Sequence, residues 1–199
     1  MRVIGITGGV GAGKSRILEI LKKEYHAQVI QADIVARELE EPGQPGYQKL
    51  VETFGKSILS ADGSIDRAVL ARLIFSDGEA LKAVNAIIHP LAWQAVKDRV
   101  AESRADLVAV EAALFDERSR EVCGELWFVD TSEENRIRRL HKNRGYSREK
   151  SLSIMENQPS REAFLALADC VIDNNGTVSD VKSQIGQILK RQESKRTDQ

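Results

Sequence analysis

The residues able to do chemistry begin at Gly8. The run Gly8-Gly9-Val10-Gly11-Ala12-Gly13-Lys14-Ser15 fits G-x-x-x-x-G-K-[ST], a spacing that cradles nucleotide phosphates. Its glycines let the backbone turn tightly and bring N–H groups up to phosphate oxygens. Lys14 has the length to reach the β- and γ-phosphates, and the Ser15 hydroxyl can ligate Mg²⁺. The surroundings agree with the motif. Arg2–Thr7 reads as a short buried strand. After Ser15, Ile17, Ile20 and Leu21 fall at i, i+3 and i+4, with Leu18 alongside, as on an amphipathic helix. That helix would point its positive dipole end at a bound anion. These residues point to phosphoryl transfer, or at least to nucleotide binding.

Further chemistry-bearing residues are spread along the chain. Asp33 follows a second strand and has two readings, a carboxylate facing a crevice or a helix cap. Glu111 ends a buried strand, where an unpaired carboxylate is costly, so contact with metal or substrate is a reasonable use. A basic helix carries Arg136, Arg138, Arg139, His141, Lys142 and Arg144. Most of these cations would be solvated, but a mobile lid bearing an arginine can place positive charge on a transferring phosphoryl group while excluding water. Arg139 is the first choice for that role and Arg144 the second. Asn174 and Asn175 either border an adenine or form a turn without ligand contact. Three scattered histidines and two cysteines offer no zinc spacing, and there is no G-x-S-x-G elbow.

The elements that must position these residues alternate. Strand signals fall at Val3–Thr7, Gln28–Gln31, Leu107–Glu111, Leu126–Val129 and Cys170–Asp173, with helical patterns between most of them. This predicts an α/β fold: a parallel sheet flanked by helices, with ligands beyond the carboxyl ends of the strands. Gly8–Ser15, Ala32-Asp33, the residues after Val110, and Asn174-Asn175 would then surround one crevice. Between the second and third strands, Glu41-Pro-Gly-Gln-Pro-Gly46 reads as a loop. Val51–Arg104 then carries three apolar stripes: Leu70, Leu73 and Ile74; Leu81, Val84, Ile87 and Ile88; Trp93, Val96 and Val100. Thr131-Ser-Glu-Glu134 fits a capping box, Gly145 a helix stop, Ser147 a second cap, and Pro159-Ser160 a break before a third short helix. A last helix presents Val181, Ile185, Ile188 and Leu189, and the polar Lys190–Gln199 is expected to fray.

The chain has 199 residues and a formal net charge of -1, so no global basic field points to nucleic acid. Cys123 and Cys170 are too few for a disulfide framework and suit a reducing compartment. No apolar run is long enough for a bilayer, and the phosphate-loop motif starts too early to leave room for a signal peptide. A cytoplasmic chain is expected, with no nucleic-acid or membrane partner, acting as a monomer.

Read along its length, the sequence resembles the dephospho-CoA kinases. The resemblance runs through Ile4–Ser15, Ala32-Asp33 with Ala36-Arg37-Glu38-Leu39, Phe54-Gly55, Asp62-Gly63 with Ile65-Asp66-Arg67 and Leu70, and Ile87-Ile88-His89-Pro90. It continues through Glu111, Leu114-Phe115, Arg139-Leu140, Gln158, and Ala168-Asp169 with Val171-Ile172-Asp173-Asn174. The resemblance implies a P-loop kinase fold with a five-stranded parallel sheet, a helical CoA-binding insertion and a lid. It implies one domain over 1–199, with the core at about 1–40 and 105–199, the insertion at about 41–104 and the lid at about 132–165. It further implies transfer of the ATP γ-phosphoryl to the ribose 3′-hydroxyl of dephospho-CoA, with Mg²⁺. Lys14, Asp33 and Arg139 would be catalytic. ATP would be bound by Gly11, Ala12, Gly13, Lys14, Ser15, Arg16, Arg144 and Asn174. The acceptor would be bound by Asp33, Arg67, His89 and Glu111, and the metal by Ser15.

Several positions depart from the family pattern. Gln31 stands where Asp is common, Arg16 where Thr is usual, and Ala112-Ala113-Leu114-Phe115-Asp116 replaces Pro-Leu-Leu-Phe-Glu. Asn135 stands for Gln and Phe164 for Lys, and Asn143-Arg144 leaves two positions for a second lid arginine. The rival readings are another small-molecule kinase on the same scaffold, of nucleoside monophosphate or shikimate type, and a GTPase-like switch. The switch has only Asp173-Asn-Asn-Gly176 in its favour and lacks a guanine-reading Asn-Lys-x-Asp. An inactive nucleotide-binding relative is a third.

Overall fold

The structure, a computed structural model, describes residues 1–197 and the side chains of all of these but Glu117, Arg118 and 192–197. Its chain divides into two compact units, one formed by Met1–Val29 with the chain from Arg104 onward, the other by Ile30–Ser103.

The strands of the first unit are nearly continuous apolar runs, the pattern of strands covered on both faces. They are β1 (Arg2–Thr7), β3 (Leu107–Glu111), β4 (Glu125–Asp130) and β5 (Cys170–Asp173); with β2 (Gln28–Gln31) they make a five-stranded sheet in the order β2-β3-β1-β4-β5. β1 pairs in parallel with β3, Ile6 opposite Glu111, and with β4, Thr7 opposite Phe128; β4 pairs with β5, Asp130 opposite Asp173. This register brings Thr7, Glu111, Asp130 and Asp173 to the same edge, so the segments that follow them leave from one end of the sheet. The strand positions expected from the sequence are all present, with β4 one residue longer at each end.

Helix α1 (Lys14–Glu24) packs Ile17, Leu18, Ile20 and Leu21 onto Ile4, Ile6, Trp127, Val129 and Ile172, and α10 (Val178–Thr197) adds Val181, Ile185 and Leu189 to the same core. Gly5 is needed in β1, because a Cβ there would overlap Leu126 and stand 2.7 Å from the Phe115 ring. α10 continues through Lys190 to Thr197 instead of fraying; the remaining two residues of the expected frayed end lie outside the described residues.

Helices α6 (Glu117–Val122), α7 (Glu133–Arg144), α8 (Arg148–Glu156) and α9 (Arg161–Leu167) complete this unit. Gly145 closes α7 in the left-handed region at φ 65°, and Ser147 and Ser160 cap α8 and α9 through side-chain oxygens. The expected capping box at Thr131 is absent: α7 starts after Ser132 with no side-chain cap. The Thr131 hydroxyl instead donates to the Ala12 carbonyl at 2.9 Å.

The second unit is helical: α2 (Ala32–Leu39), α3 (Pro45–Phe54), a short 3₁₀ turn (Lys56–Ile58), α4 (Arg67–Ser76) and α5 (Gly78–Ala101). Leu50, Ile58, Ile65, Leu70 and Ile88 form its core. Asp66 and Asp77 cap α4 and α5 by accepting backbone N–H bonds. This unit starts at Ile30 and not near residue 41, because α2 packs against α5 and Arg99 of α5 pairs with Glu38 of α2. The second and third apolar stripes belong to one helix. His89-Pro90 sits inside α5. Proline's φ suits a helix; what it removes is one N–H, leaving the Ala86 carbonyl without its intrahelical donor.

Candidate active site

The loop between β1 and α1 is shaped by where glycine alone fits. Gly8, Gly11 and Gly13 have φ of 150°, 76° and 94°. A Cβ on Gly8 would lie 2.8 Å from the Val129 carbonyl, and one on Gly13 would overlap the Asn174 amide. The loop is closed by the Ala12 N–H donating to the Gly9 carbonyl at 3.0 Å. The Lys14 ammonium donates to the Gly8 carbonyl at 2.8 Å and lies 3.4 Å from the buried Glu111 carboxylate. Lys14 is thus held over the loop by a carbonyl and a carboxylate. Ser15 and Arg16 follow in the exposed part of the first turn of α1.

The other side of the loop is braced. The Ala12 carbonyl accepts from the Thr131 hydroxyl, from Asn174 Nδ2 at 2.7 Å and from Arg139 Nη1 at 2.9 Å. Arg139 Nη2 also donates to the Asn174 carbonyl at 2.6 Å. Burial pulls the Arg139 guanidinium below its ordinary pKa, with Arg16 and Arg138 adding to the effect. In this arrangement Nη1 and Nη2 of the half-buried Arg139 guanidinium each donate to a carbonyl of the protein; a guanidinium carries five N–H donors, so these two bonds do not use all of them. Asn174 is 1% exposed and braces the loop from behind. Arg144 lies at the exposed end of α7, its guanidinium 5.9 Å from the centre of the Tyr146 ring, so the two arginines are not brought together. Missed by the sequence reading is Arg136, whose Nε donates to the Val10 carbonyl at 2.8 Å. The signal available for it was its placement one helical turn before Arg139.

Two departures from the family pattern have structural uses. Phe164 is buried and stacked on Phe128, centroids 5.1 Å apart and planes 10° from parallel. The Asn135 amide donates to Asn175 Oδ1 at 2.9 Å, the same atom that takes the Ser132 N–H at 2.8 Å, so Asn175 supplies the cap that α7 lacks. Asp173 accepts from the Asn175 N–H at 2.9 Å; the D-x-x-G stretch of the switch reading is an Asx turn closed on itself.

In the second unit, Asp33 falls in the first turn of α2, not at its cap, which is Gln31. It is exposed, and a carboxylate there is favoured by the helix dipole. Arg67 opens α4, and its Nη1 donates to Glu40 Oε2 at 2.9 Å. Burial raises the Glu40 pKa, and Arg67 opposes that rise. His89 is exposed on α5. Among the described residues no group of three or more His, Cys, Asp or Glu side chains could hold a metal ion.

A parallel sheet in this strand order, with a phosphate loop leading from its central strand into a helix, defines a P-loop kinase. The family model described as dephospho-CoA kinase matches residues 2–180. A dephospho-CoA kinase of Carboxydothermus hydrogenoformans is 37% identical over 193 residues, covering 95% of this chain and 93% of its own length. A solved structure of the Thermus thermophilus protein TT1252 is 30% identical with a TM-score of 0.81, covering 96% of this chain and 97% of its own. A dephospho-CoA kinase from Campylobacter jejuni, 21% identical with a TM-score of 0.67 over 96% of both chains, shares the fold. This chain belongs to the dephospho-CoA kinase family.

Proposed function

We propose that this chain transfers the γ-phosphoryl group of ATP to the ribose 3′-hydroxyl of dephospho-CoA, giving ADP and coenzyme A, the last step of coenzyme A synthesis. One observation carries this reading: a complete phosphate loop with Lys14 held between Gly8 and Glu111, in a chain that matches the family nearly end to end. The 3′-oxygen forms the new P–O bond as the bond from the γ-phosphorus to the β–γ bridging oxygen breaks, and the hydroxyl proton passes to a base. Asp33 is assigned that base or orienting role. Its exposed carboxylate has no hydrogen bond or ion pair among the described residues. The backbone of Gly11, Ala12, Gly13, Lys14, Ser15 and Arg16 receives the phosphates, and the Lys14 charge meets the negative charge on the transferring group. Arg144 is assigned an outer contact to the nucleotide. Arg67 and His89 are assigned to the acceptor, Arg67 exchanging Glu40 for an anionic group of the substrate.

Mg²⁺ suits the donors present. It keeps several waters and takes one or two protein oxygens beside substrate phosphates, and the Ser15 hydroxyl, with Glu111 through water, offers that set. The ion would neutralise phosphate charge. The chain is assigned to the cytoplasm, where free cysteines such as Cys123 and Cys170 persist, and is taken to act as a monomer; no helix among the described residues is long and apolar enough to cross a membrane.

The deciding experiment mixes the purified chain with ATP, Mg²⁺ and dephospho-CoA and follows coenzyme A and ADP, with nucleoside monophosphates and shikimate as competing acceptors. Stoichiometric coenzyme A and ADP are expected. Faster phosphorylation of either competing acceptor would overturn the assignment.

A further inference from the structure

The phosphate-loop motif requires glycine at its first and sixth positions and leaves the four between them open. This chain nevertheless has glycine at two of the open positions, 9 and 11. Gly9 does not need it for its backbone, since its φ is not among the positive ones. The space its side chain would fill is taken by Arg136. A Cβ on Gly9 would overlap Nη2 and stand 2.6 Å from Cζ, and a Cβ on Gly11 would stand 3.0 Å from the Arg136 carbonyl. The loop is glycine-rich on this side so that α7 can approach it.

What the approach achieves is a closed ring of hydrogen bonds around one residue of the loop. Arg136 Nε donates to the Val10 carbonyl at 2.8 Å and Nη2 donates to Gln158 Oε1 at 2.9 Å; the Val10 N–H donates to the same Oε1 at 2.9 Å. Both polar groups of Val10 are thereby held from outside the loop, by a side chain of α7 and one from the α8–α9 junction. No carboxylate among the described residues lies within ion-pair distance of Arg136; burial lowers its pKa, and the nearby negative charges of Glu133 and Asp130 oppose that without cancelling it. Its charge is directed at the carbonyl it holds.

We propose that Arg136 and Gln158 are positioning residues that act on phosphoryl transfer through Val10, fixing the phosphate loop in the shape that receives the nucleotide. Neither needs to touch a phosphate. This rests on the nucleotide-binding half of the reaction proposed above, and its test is chosen to work without an acceptor.

ADP binding is measured by calorimetry, with steady-state kinetics beside it, on five variants and one double variant. Arg136→Gln and Gln158→Leu each break the ring and should weaken ADP binding about tenfold or more, the scale of one lost hydrogen bond to a charged group. Arg136→Lys keeps the charge, but its single ammonium cannot serve both directions of the guanidinium fork, so it should fall with Arg136→Gln. Gly9→Ala leaves Arg136 in place and displaces its guanidinium from Val10. A cavity of about 630 Å³ bordered by Gly9, Arg136 and Gln158 gives that guanidinium room, so this variant should fold and show the same loss. Gln158→Glu keeps the acceptor oxygen and should stay within twofold of the parent chain. The double variant Arg136→Gln/Gln158→Leu should be no worse than either single change, because both break one ring. In the kinetics, KM for ATP should rise while KM for dephospho-CoA stays within twofold, a split that general loss of stability would not produce. Additive losses, or an Arg136→Lys variant equal to the parent, would overturn the proposal and make Arg136 a free cation acting on the phosphates. A parent chain that binds ADP but forms no coenzyme A would sink the reaction, leaving the ring to be decided by the binding arm.

Discussion

Asp33 and Cys123 are the residues whose chemistry is most exposed to test. Asp33 sits in the first turn of α2. As general base or orienting group it should matter for turnover and not for ATP binding. Asp33→Asn, of the same size and polarity, is expected to lower kcat about a hundredfold or more while KM for ATP changes little; near-normal turnover would return Asp33 to a purely structural place. Cys123 is buried, and burial pushes its thiol from 9.0 up to about 12. It is therefore a protonated, unreactive thiol at pH 8 in the folded chain. Iodoacetamide at that pH should leave Cys123 unlabelled until the protein is unfolded, as read by peptide mass mapping. The sign of the linked stability follows. The folded state holds the proton more tightly, so the contribution is complete below about pH 9 and is lost as pH rises toward 12.

At the scale of elements, α5 shows a local rule overridden by packing. A proline inside a helical stretch ordinarily ends or kinks the helix. Here α5 runs unbroken from Gly78 to Ala101 with Ile88, Ala92, Trp93, Val96 and Val100 buried along it. Burial of that one face on both sides of the proline outweighs one missing intrahelical hydrogen bond. Pro90→Ala restores the donor and should stabilise the chain by about 1–3 kcal/mol, measured as a raised urea midpoint. No gain would show that the Ala86 carbonyl already has a partner. α7 shows the reverse. Its cap residue was legible as a type but not as a role, since Thr131 looks like a capping residue and is used on Ala12, while the cap comes from Asn175, distant in sequence.

For the molecule as a whole, ligand binding should report directly on stability. A nucleotide that binds only the folded chain adds about 2.7 kcal/mol at a hundred times its Kd. For a chain of this size that corresponds to a melting shift of about 5–10 °C, and ADP with Mg²⁺ should produce it in thermal unfolding. GDP matching or exceeding ADP would favour the switch reading, which the closed turn at Asp173 does not support. The net charge of -1 leaves no long-range basic field. Affinity for anionic ligands must therefore come from local groups such as Lys14 and the loop N–H donors, and it should depend less on salt than binding to a broad basic surface would.

The local chemistry of Gly8–Ser15, the five strands and the caps at Ser147, Ser160 and Gly145 could be read from sequence alone. They rest on backbone geometry and on short-range hydrogen bonds and apolar spacing, which neighbouring residues largely determine. The sequence could not decide which arginine does what. Arg136, Arg138, Arg139 and Arg144 look alike along α7, and only the tertiary structure shows that Arg136 meets Val10 and Gln158, that Arg139 meets Ala12 and Asn174, and that Arg144 faces Tyr146. A guanidinium can satisfy carbonyls, carboxylates, rings or phosphates equally well. Which of these it finds depends on what the fold places within about 3 Å of it, across more than a hundred residues of chain between Val10 and Arg136.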